Sequence, residues 1–174
     1  MRSMLSACAT LMMLASTATA GDVKVEGVHL CCGACVKGVG KALKDVSGVE
    51  GVTCDRDEGS VAFAAESADA AKSAINALAA AGFFGKAKHD GEEVAFPKSG
   101  AKEGAKADTV SVSNVHLCCG GCVNAVAKAV KKVDGVSDVT CDRAESSVKV
   151  TGSDVSVEAV VEALNGAGFN AKVK

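Results

Sequence analysis

Two short stretches carry most of the reactive side chains of this chain. The first reads Val28-His29-Leu30-Cys31-Cys32-Gly33-Ala34-Cys35-Val36, and the second, 87 residues on, reads Val115-His116-Leu117-Cys118-Cys119-Gly120-Gly121-Cys122-Val123. Cys32 and Cys35, and again Cys119 and Cys122, have C-x-x-C spacing. A thiolate pair at that spacing suits a soft cation, namely Cu(I), Hg(II) or Cd(II), or Zn(II) with further ligands. The same i, i+3 spacing also admits a structural or redox disulfide. Where such a pair opens a helix, its second cysteine falls in the first turn. The helix N-terminus there lowers a thiol pKa from its ordinary ~8.5, which aids metal binding near neutral pH. A Cys31–Cys32 disulfide is disfavoured, because adjacent Cα atoms lie ~3.8 Å apart, short of the ~4.4–6.8 Å a disulfide usually spans.

Two further cysteines stand in a second repeated string, Val52-Thr53-Cys54-Asp55-Arg56 and Val139-Thr140-Cys141-Asp142-Arg143. Cys54 and Cys141 read either as small core residues or as partners of Cys31 and Cys118. Cys31 and Cys118 in turn read as third ligands or as disulfide partners. His29 and His116 precede the C-x-x-C pairs by three residues and read as strand or loop histidines hydrogen-bonded locally. His89 reads as solvated. Phe83 and Phe169 read as core or site-rim packing.

The elements that must position these groups follow from the repeat. Val46-Ser47-Gly48-Val49 matches Val133-Asp134-Gly135-Val136, and Ala81-Gly82-Phe83 matches Ala167-Gly168-Phe169. The copies span residues 22–90 and 109–174. Residues 91–108 are rich in Lys, Glu, Gly and Ala, hold the only proline, Pro97, and have the composition of a solvated linker. Val94-Ala95-Phe96 is a weak strand candidate within it.

Within each copy, periodicity sets the order of elements. Val23 and Val25 alternate with polar residues as a strand. Val36, Val39, Gly40, Leu43 and Val46 mark one face of a helix, Lys37, Lys41 and Lys44 lie opposite, and Gly48 is placed to stop it. Val49 to Cys54 and Val61 with Phe63 form two more strands. Ser67 or Asp69 caps a second helix with Ala71, Ala74, Ile75 and Leu78 inward, and Gly82 ends it before a last strand. The second copy repeats the plan with Val123, Val126, Val130 and Val133, then Val157, Val161 and Leu164. Each unit is therefore βαββαβ, and the chain is an α+β protein of two tandem ferredoxin-like domains. In this plan Cys31, Cys32, Cys35, Cys54 and Phe83 share one end of the unit, and Cys54 is expected to approach Cys35 or Cys31.

Residues 1–20 stand apart. Arg2, the apolar run Met4–Ala15 and Ala18-Thr19-Ala20 form a secretory signal peptide pattern with cleavage near Ala20. Leu5-Ser6-Ala7-Cys8 has the look of a lipoprotein box, but too few residues precede the cysteine. Cleavage removes Cys8 and leaves eight of the nine cysteines. The remaining chain has no apolar run long enough to span a bilayer. Its expected location is secreted or periplasmic. A net charge of −2 with 23% charged residues leaves no basic stripe for nucleic acid and no polybasic membrane patch.

Taken together, these residues resemble the heavy-metal-associated domain family, which includes copper chaperones, metal-binding modules of copper-transporting ATPases and the periplasmic mercury-binding protein. Cys32-Gly33-Ala34-Cys35 and Cys119-Gly120-Gly121-Cys122 match that family's ligand pair. Gly48-Val49-Glu50-Gly51-Val52-Thr53-Cys54-Asp55 matches its second-strand signature, and Gly82-Phe83 and Gly168-Phe169 its late motif. The chain departs from the family at Leu30 and Leu117, which stand in place of Met, at His29 and His116 in place of Gly, and at Cys31, Cys118 and Cys54. The resemblance implies metal ligation by Cys32, Cys35, Cys119 and Cys122, with Cys31, Cys54, Cys118 and Cys141 as further candidates. It implies Cu(I) first, with Hg(II) or Zn(II) as alternatives, and no catalysis. A metal-transporting membrane protein or another metal chaperone is the implied partner. Three- or four-sulfur sites and disulfides both stay open for the extra cysteines. A disulfide-stapled module without metal and a thiol–disulfide oxidoreductase are the competing readings. The oxidoreductase lacks the expected proline beside its C-x-x-C.

Overall fold

The computed structural model describes residues 20–174. Residues 1–19 of the leader pattern, Cys8 included, lie outside the described residues. The first unit contains β1 (Gly21–Glu26), α1 (Gly33–Leu43), β2 (Val49–Asp55), β3 (Ser60–Ala65), α2 (Ala68–Ala80), β4 (Lys86–His89) and β5 (Glu92–Val94). The second contains β6 (Lys106–Ser113), α3 (Gly120–Val130), β7 (Val136–Asp142), β8 (Ser147–Ser156), α4 (Val157–Gly166) and β9 (Lys172–Val173). Their sheets run β2-β3-β1-β4-β5 and β7-β8-β6-β9, with every neighbouring pair antiparallel. Each unit is thus the expected ferredoxin-like βαββαβ fold. Among the described residues no helix is long and apolar enough to cross a membrane.

The local reasons are those of the sequence, with three differences. In β1, Val23 and Val25 are buried while Asp22, Lys24 and Glu26 are exposed, so alternation holds. In α2, Ser67 accepts the Ala70 N–H at 3.1 Å as N-cap, and Ala71, Ala74, Ile75 and Leu78 are fully buried. The first difference is in the inward stripe of α1, which is Cys35, Val39 and Leu43 rather than one starting at Val36; Cys122, Val126 and Val130 repeat it in α3. The second cysteine of each pair is thus the first core residue of its helix, the place of a small hydrophobe. The second is where α1 ends. It stops at Leu43, before Gly48, whose φ of +73° turns the chain into β2 instead.

The third difference is a hairpin. Asp90 and Gly91 both adopt positive φ and join β4 to β5, pairing Ala87 with Val94. Asp-Gly is a two-residue turn signal that the linker-like composition around it obscures. The stretch that follows is pinned rather than free. Phe96 packs on Phe84 at 4.8 Å, Ser99 accepts the Val173 N–H at 2.9 Å, and Glu158 accepts the Gly104 N–H at 2.9 Å.

The two units also pack against each other about an approximate two-fold relation. Phe83 and Phe169 form an antiparallel bridge. Gly82 O accepts N–H bonds from His116 at 3.2 Å and Asn170 at 2.9 Å; Gly168 O accepts the matching bonds from His29 at 3.4 Å and Phe84 at 3.2 Å. The buried apolar residues of both units form one contiguous cluster.

Candidate metal centre

The loops after β1 and β6 meet at this inter-unit contact, and six cysteine sulfurs converge there. Within the first unit, Cys31 Sγ lies 3.7 Å from Cys35 Sγ and Cys32 Sγ 3.9 Å from it. Within the second, Cys118 and Cys119 lie 3.6 and 3.9 Å from Cys122. Between the units, Cys31 lies 3.6 Å from Cys119 and 3.7 Å from Cys122, Cys118 lies 3.8 Å from Cys32 and 3.5 Å from Cys35, and Cys32 lies 4.0 Å from Cys119. All eight described cysteines are free thiols.

The two remaining sequence candidates lie elsewhere. Cys54 pairs with Val61 across β2 and β3, and Cys141 with Val148 across β7 and β8. Neither belongs to a group of potential ligands among the described residues. Cys54 is not among the sulfurs that meet Cys31 or Cys35, so the expected approach is not seen. Burial pushes both strand thiols up.

The six thiols are not electrostatically alike. Cys32 is the N-cap of α1, and the backbone N–H groups of Cys35 and Ala34 hold its thiol down to about 6. Cys119, the N-cap of α3, is lowered in the same way, first by the Cys122 N–H. Cys31 and Cys118 are pushed strongly up by desolvation of their sulfurs among the packed thiols, although Cys31 as a residue is exposed, and by sulfur neighbours that compete for the same protons. Burial pushes Cys122 up as well. The lowered thiols are thus Cys32 and Cys119, the first of each pair, whereas Cys122 turns into the core and is raised.

This difference has a direct consequence. At pH 7 iodoacetamide modifies Cys32 and Cys119 well before Cys54 and Cys141, and the Cys32 rate falls as pH drops through about 6. Peptide mapping after timed alkylation measures it; equal rates at all four would contradict the assignment. The sign for stability follows. Since the folded pKa lies below the ordinary thiol value, ionisation of Cys32 favours the fold fully above that ordinary value and ceases to do so as pH falls through about 6.

Supporting groups were only partly legible. Arg56 donates from Nη2 to Cys31 O at 2.9 Å and from Nε to Leu30 O at 3.5 Å; Arg143 donates to Cys118 O and Leu117 O in the same way. Asp55 and Asp142 shape the turns that carry these arginines by accepting two backbone N–H groups each. The repeated Cys-Asp-Arg string was the available signal. His29 stacks on Phe169 at 4.4 Å and His116 on Phe83 at 4.2 Å, each across the units. Their Nε2 atoms are buried without hydrogen-bond partners, while His116 is hydrogen-bonded to the backbone of Ala81. Burial holds both imidazoles toward the neutral form. His29 lies within 4.8 Å of Cys31 and Cys122 through its ligand atom, as His116 does of Cys35, Cys118 and Cys122.

The sequence model of the heavy-metal-associated domain matches residues 22–84 and 109–170. A mercuric transport protein periplasmic component from Pseudomonas fluorescens is 38% identical over 72 residues, which are 40% of this chain and 79% of that protein. The protein of the same name from an Alcaligenes species is 36% identical over 72 residues, again 40% and 79% of the two chains. Among solved structures, oxidised MerP from Ralstonia metallidurans CH34 is 33% identical and aligns over 40% of this chain and 99% of its own, with a TM-score of 0.36. With both βαββαβ units matched, this chain belongs to the heavy-metal-associated domain family.

Proposed function

We propose that this protein carries or sequesters a soft heavy-metal cation, Hg(II) or Cu(I), on the exported side of a membrane, through Cys32, Cys35, Cys119 and Cys122 with Cys31 and Cys118. The observation that carries this reading is the sulfur spacing. Two thiolates bound to one ion at ~2.3 Å in tetrahedral or trigonal geometry stand about 3.8–4.0 Å apart. The six sulfurs here meet at 3.5–4.0 Å. Soft thiolates select soft cations over Mg(II) or Ca(II). Cys54 and Cys141 remain outside the centre as strand residues. Cys31 is exposed, which gives an incoming ion or an acceptor thiol a first point of contact. A metal-transporting membrane protein or a second metal chaperone is the corresponding partner class. The leader pattern and the periplasmic relatives support the exported location.

Native mass spectrometry on residues 21–174, isolated without reductant from the compartment where the protein resides, tests the reading. One or two retained Hg or Cu ions are expected, and Cys32→Ala with Cys35→Ala lowers that number. A chain that lacks bound metal and has lost the thiol hydrogens to disulfides overturns it in favour of a stapled module.

A further inference from the structure

We propose that the metal sites are exchanged between the two units: Cys118 of the second unit completes a three-sulfur site with Cys32 and Cys35, and Cys31 of the first completes one with Cys119 and Cys122. This rests on the metal-carrier reading above and assigns the ligands within it. Only two triangles close fully through the observed sulfur contacts. One has edges of 3.8, 3.5 and 3.9 Å through Cys118–Cys32, Cys118–Cys35 and Cys32–Cys35. The other has edges of 3.6, 3.7 and 3.9 Å through Cys31–Cys119, Cys31–Cys122 and Cys119–Cys122. The centre of either triangle lies about 2.2 Å from each sulfur, close to the ~2.3 Å of a metal–thiolate bond. The two triangles share no atom and use all six thiols.

Chain geometry explains the exchange. Cys31 and Cys32 are neighbours in the loop, and Cys32 has extended backbone, so their side chains diverge; Cys32 stands at the N-cap of its own helix beside Cys35, while Cys31 meets Cys119 and Cys122 across the contact. Cys31 Sγ then lies over Gly121, where an added Cβ would stand 3.4 Å from it. Arg56 and Arg143 hold the carbonyls of the two reaching cysteines. An imidazole with an unpartnered Nε2 borders each triangle: His29 with Cys31 and Cys122, His116 with Cys35 and Cys118. The bland alternative, a third ligand from the same unit, needs Cys31 and Cys32 on one ion. Those two sulfurs come within 4.8 Å of each other, in a group with Cys119, but not within the 4.0 Å that every edge of the two triangles meets. On ligation three metal–sulfur bonds form at each site, and any protons still held by those thiols pass to water. Each bound ion thereby ties one unit to the other.

The test uses the full mature chain, reduced, with one equivalent of HgCl2 and X-ray absorption at the mercury edge. Cys119→Ala with Cys122→Ala leaves one complete triangle, and three sulfurs around Hg(II) are expected. Adding Cys118→Ser drops the number to two, whereas adding Cys31→Ser leaves it at three. The mirror set, Cys32→Ala with Cys35→Ala, gives an independent reading in which Cys31→Ser removes the sulfur and Cys118→Ser does not. Loss of the third sulfur with the same-unit cysteine instead, or two sulfurs throughout, overturns the exchange and leaves the carrier reading intact. Failure of both parent chains to retain Hg(II) overturns the two together.

Discussion

Saturating the reduced chain with Hg(II) raises its unfolding midpoint by about 8–16 °C. A ligand at a thousand times its dissociation constant stabilises the folded state by about 4.1 kcal/mol. For a chain of this size each kcal/mol corresponds to about 2–4 °C. The unfolded chain keeps its C-x-x-C pairs and also binds thiophilic ions, so the gain depends on what folding adds. Folding brings six sulfurs from two loops, 83 to 91 residues apart for the contacts between units, to within 3.5–4.0 Å. That preorganisation removes a loop-closure cost the unfolded chain must meet on each binding event. Differential scanning calorimetry with and without metal measures the shift. A change below about 2 °C would mean that the unfolded chain binds as tightly as the folded one. Replacing Cys31 and Cys118 by Ser should cut the shift while leaving the metal-free midpoint close to that of the parent, since Cys31 is exposed and Cys118 only half-buried.

The second large effect comes from two glycines. Gly82→Ala and Gly168→Ala each destabilise the chain by about 2–4 kcal/mol and separate the units. Gly82 has φ +88° and Gly168 φ +83°, conformations in which a side chain is strained. An added Cβ at Gly82 would meet His116 N at 2.3 Å, and one at Gly168 would meet His29 N at the same distance. Both obstacles are backbone, so neither can swing aside. With both substitutions, the stacks of Phe83 on His116 and Phe169 on His29 are lost, and the six thiols divide into two groups of three. Chemical denaturation measures the stability, and the mercury coordination number reports the division, falling to the two sulfurs of a lone C-x-x-C. A double variant that keeps both parent stability and three-sulfur coordination would show that the close approach of the units does not build the site.

These glycines show where reading the sequence stops. Gly82-Phe83 and Gly168-Phe169 are visible as helix stops followed by an aromatic, and they do end α2 and α4. That their carbonyls accept hydrogen bonds from the other unit depends on a surface match between elements 86 residues apart, which no local pattern encodes. Cys54 and Cys141 stand apart from the six converging sulfurs, at strand positions opposite Val61 and Val148. The Asp90-Gly91 hairpin was written locally and was obscured by a charged stretch around it.

The sequence by itself determined the repeat, the two ferredoxin-like units, the helices that the C-x-x-C pairs open, and the soft-ligand chemistry of those pairs. Periodicity of 2 and 3.6, caps and spacing act over a few residues, so they survive without knowledge of the rest of the chain. Only the tertiary structure decided which six of the eight described cysteines meet, that the first thiol of each pair is the acidic one, and that the two sites form one centre. Those facts depend on which face of each unit is buried against the other. That contact sets the sulfur distances, while the helix N–H groups that lower Cys32 and the desolvation that raises Cys31 set the two thiols apart.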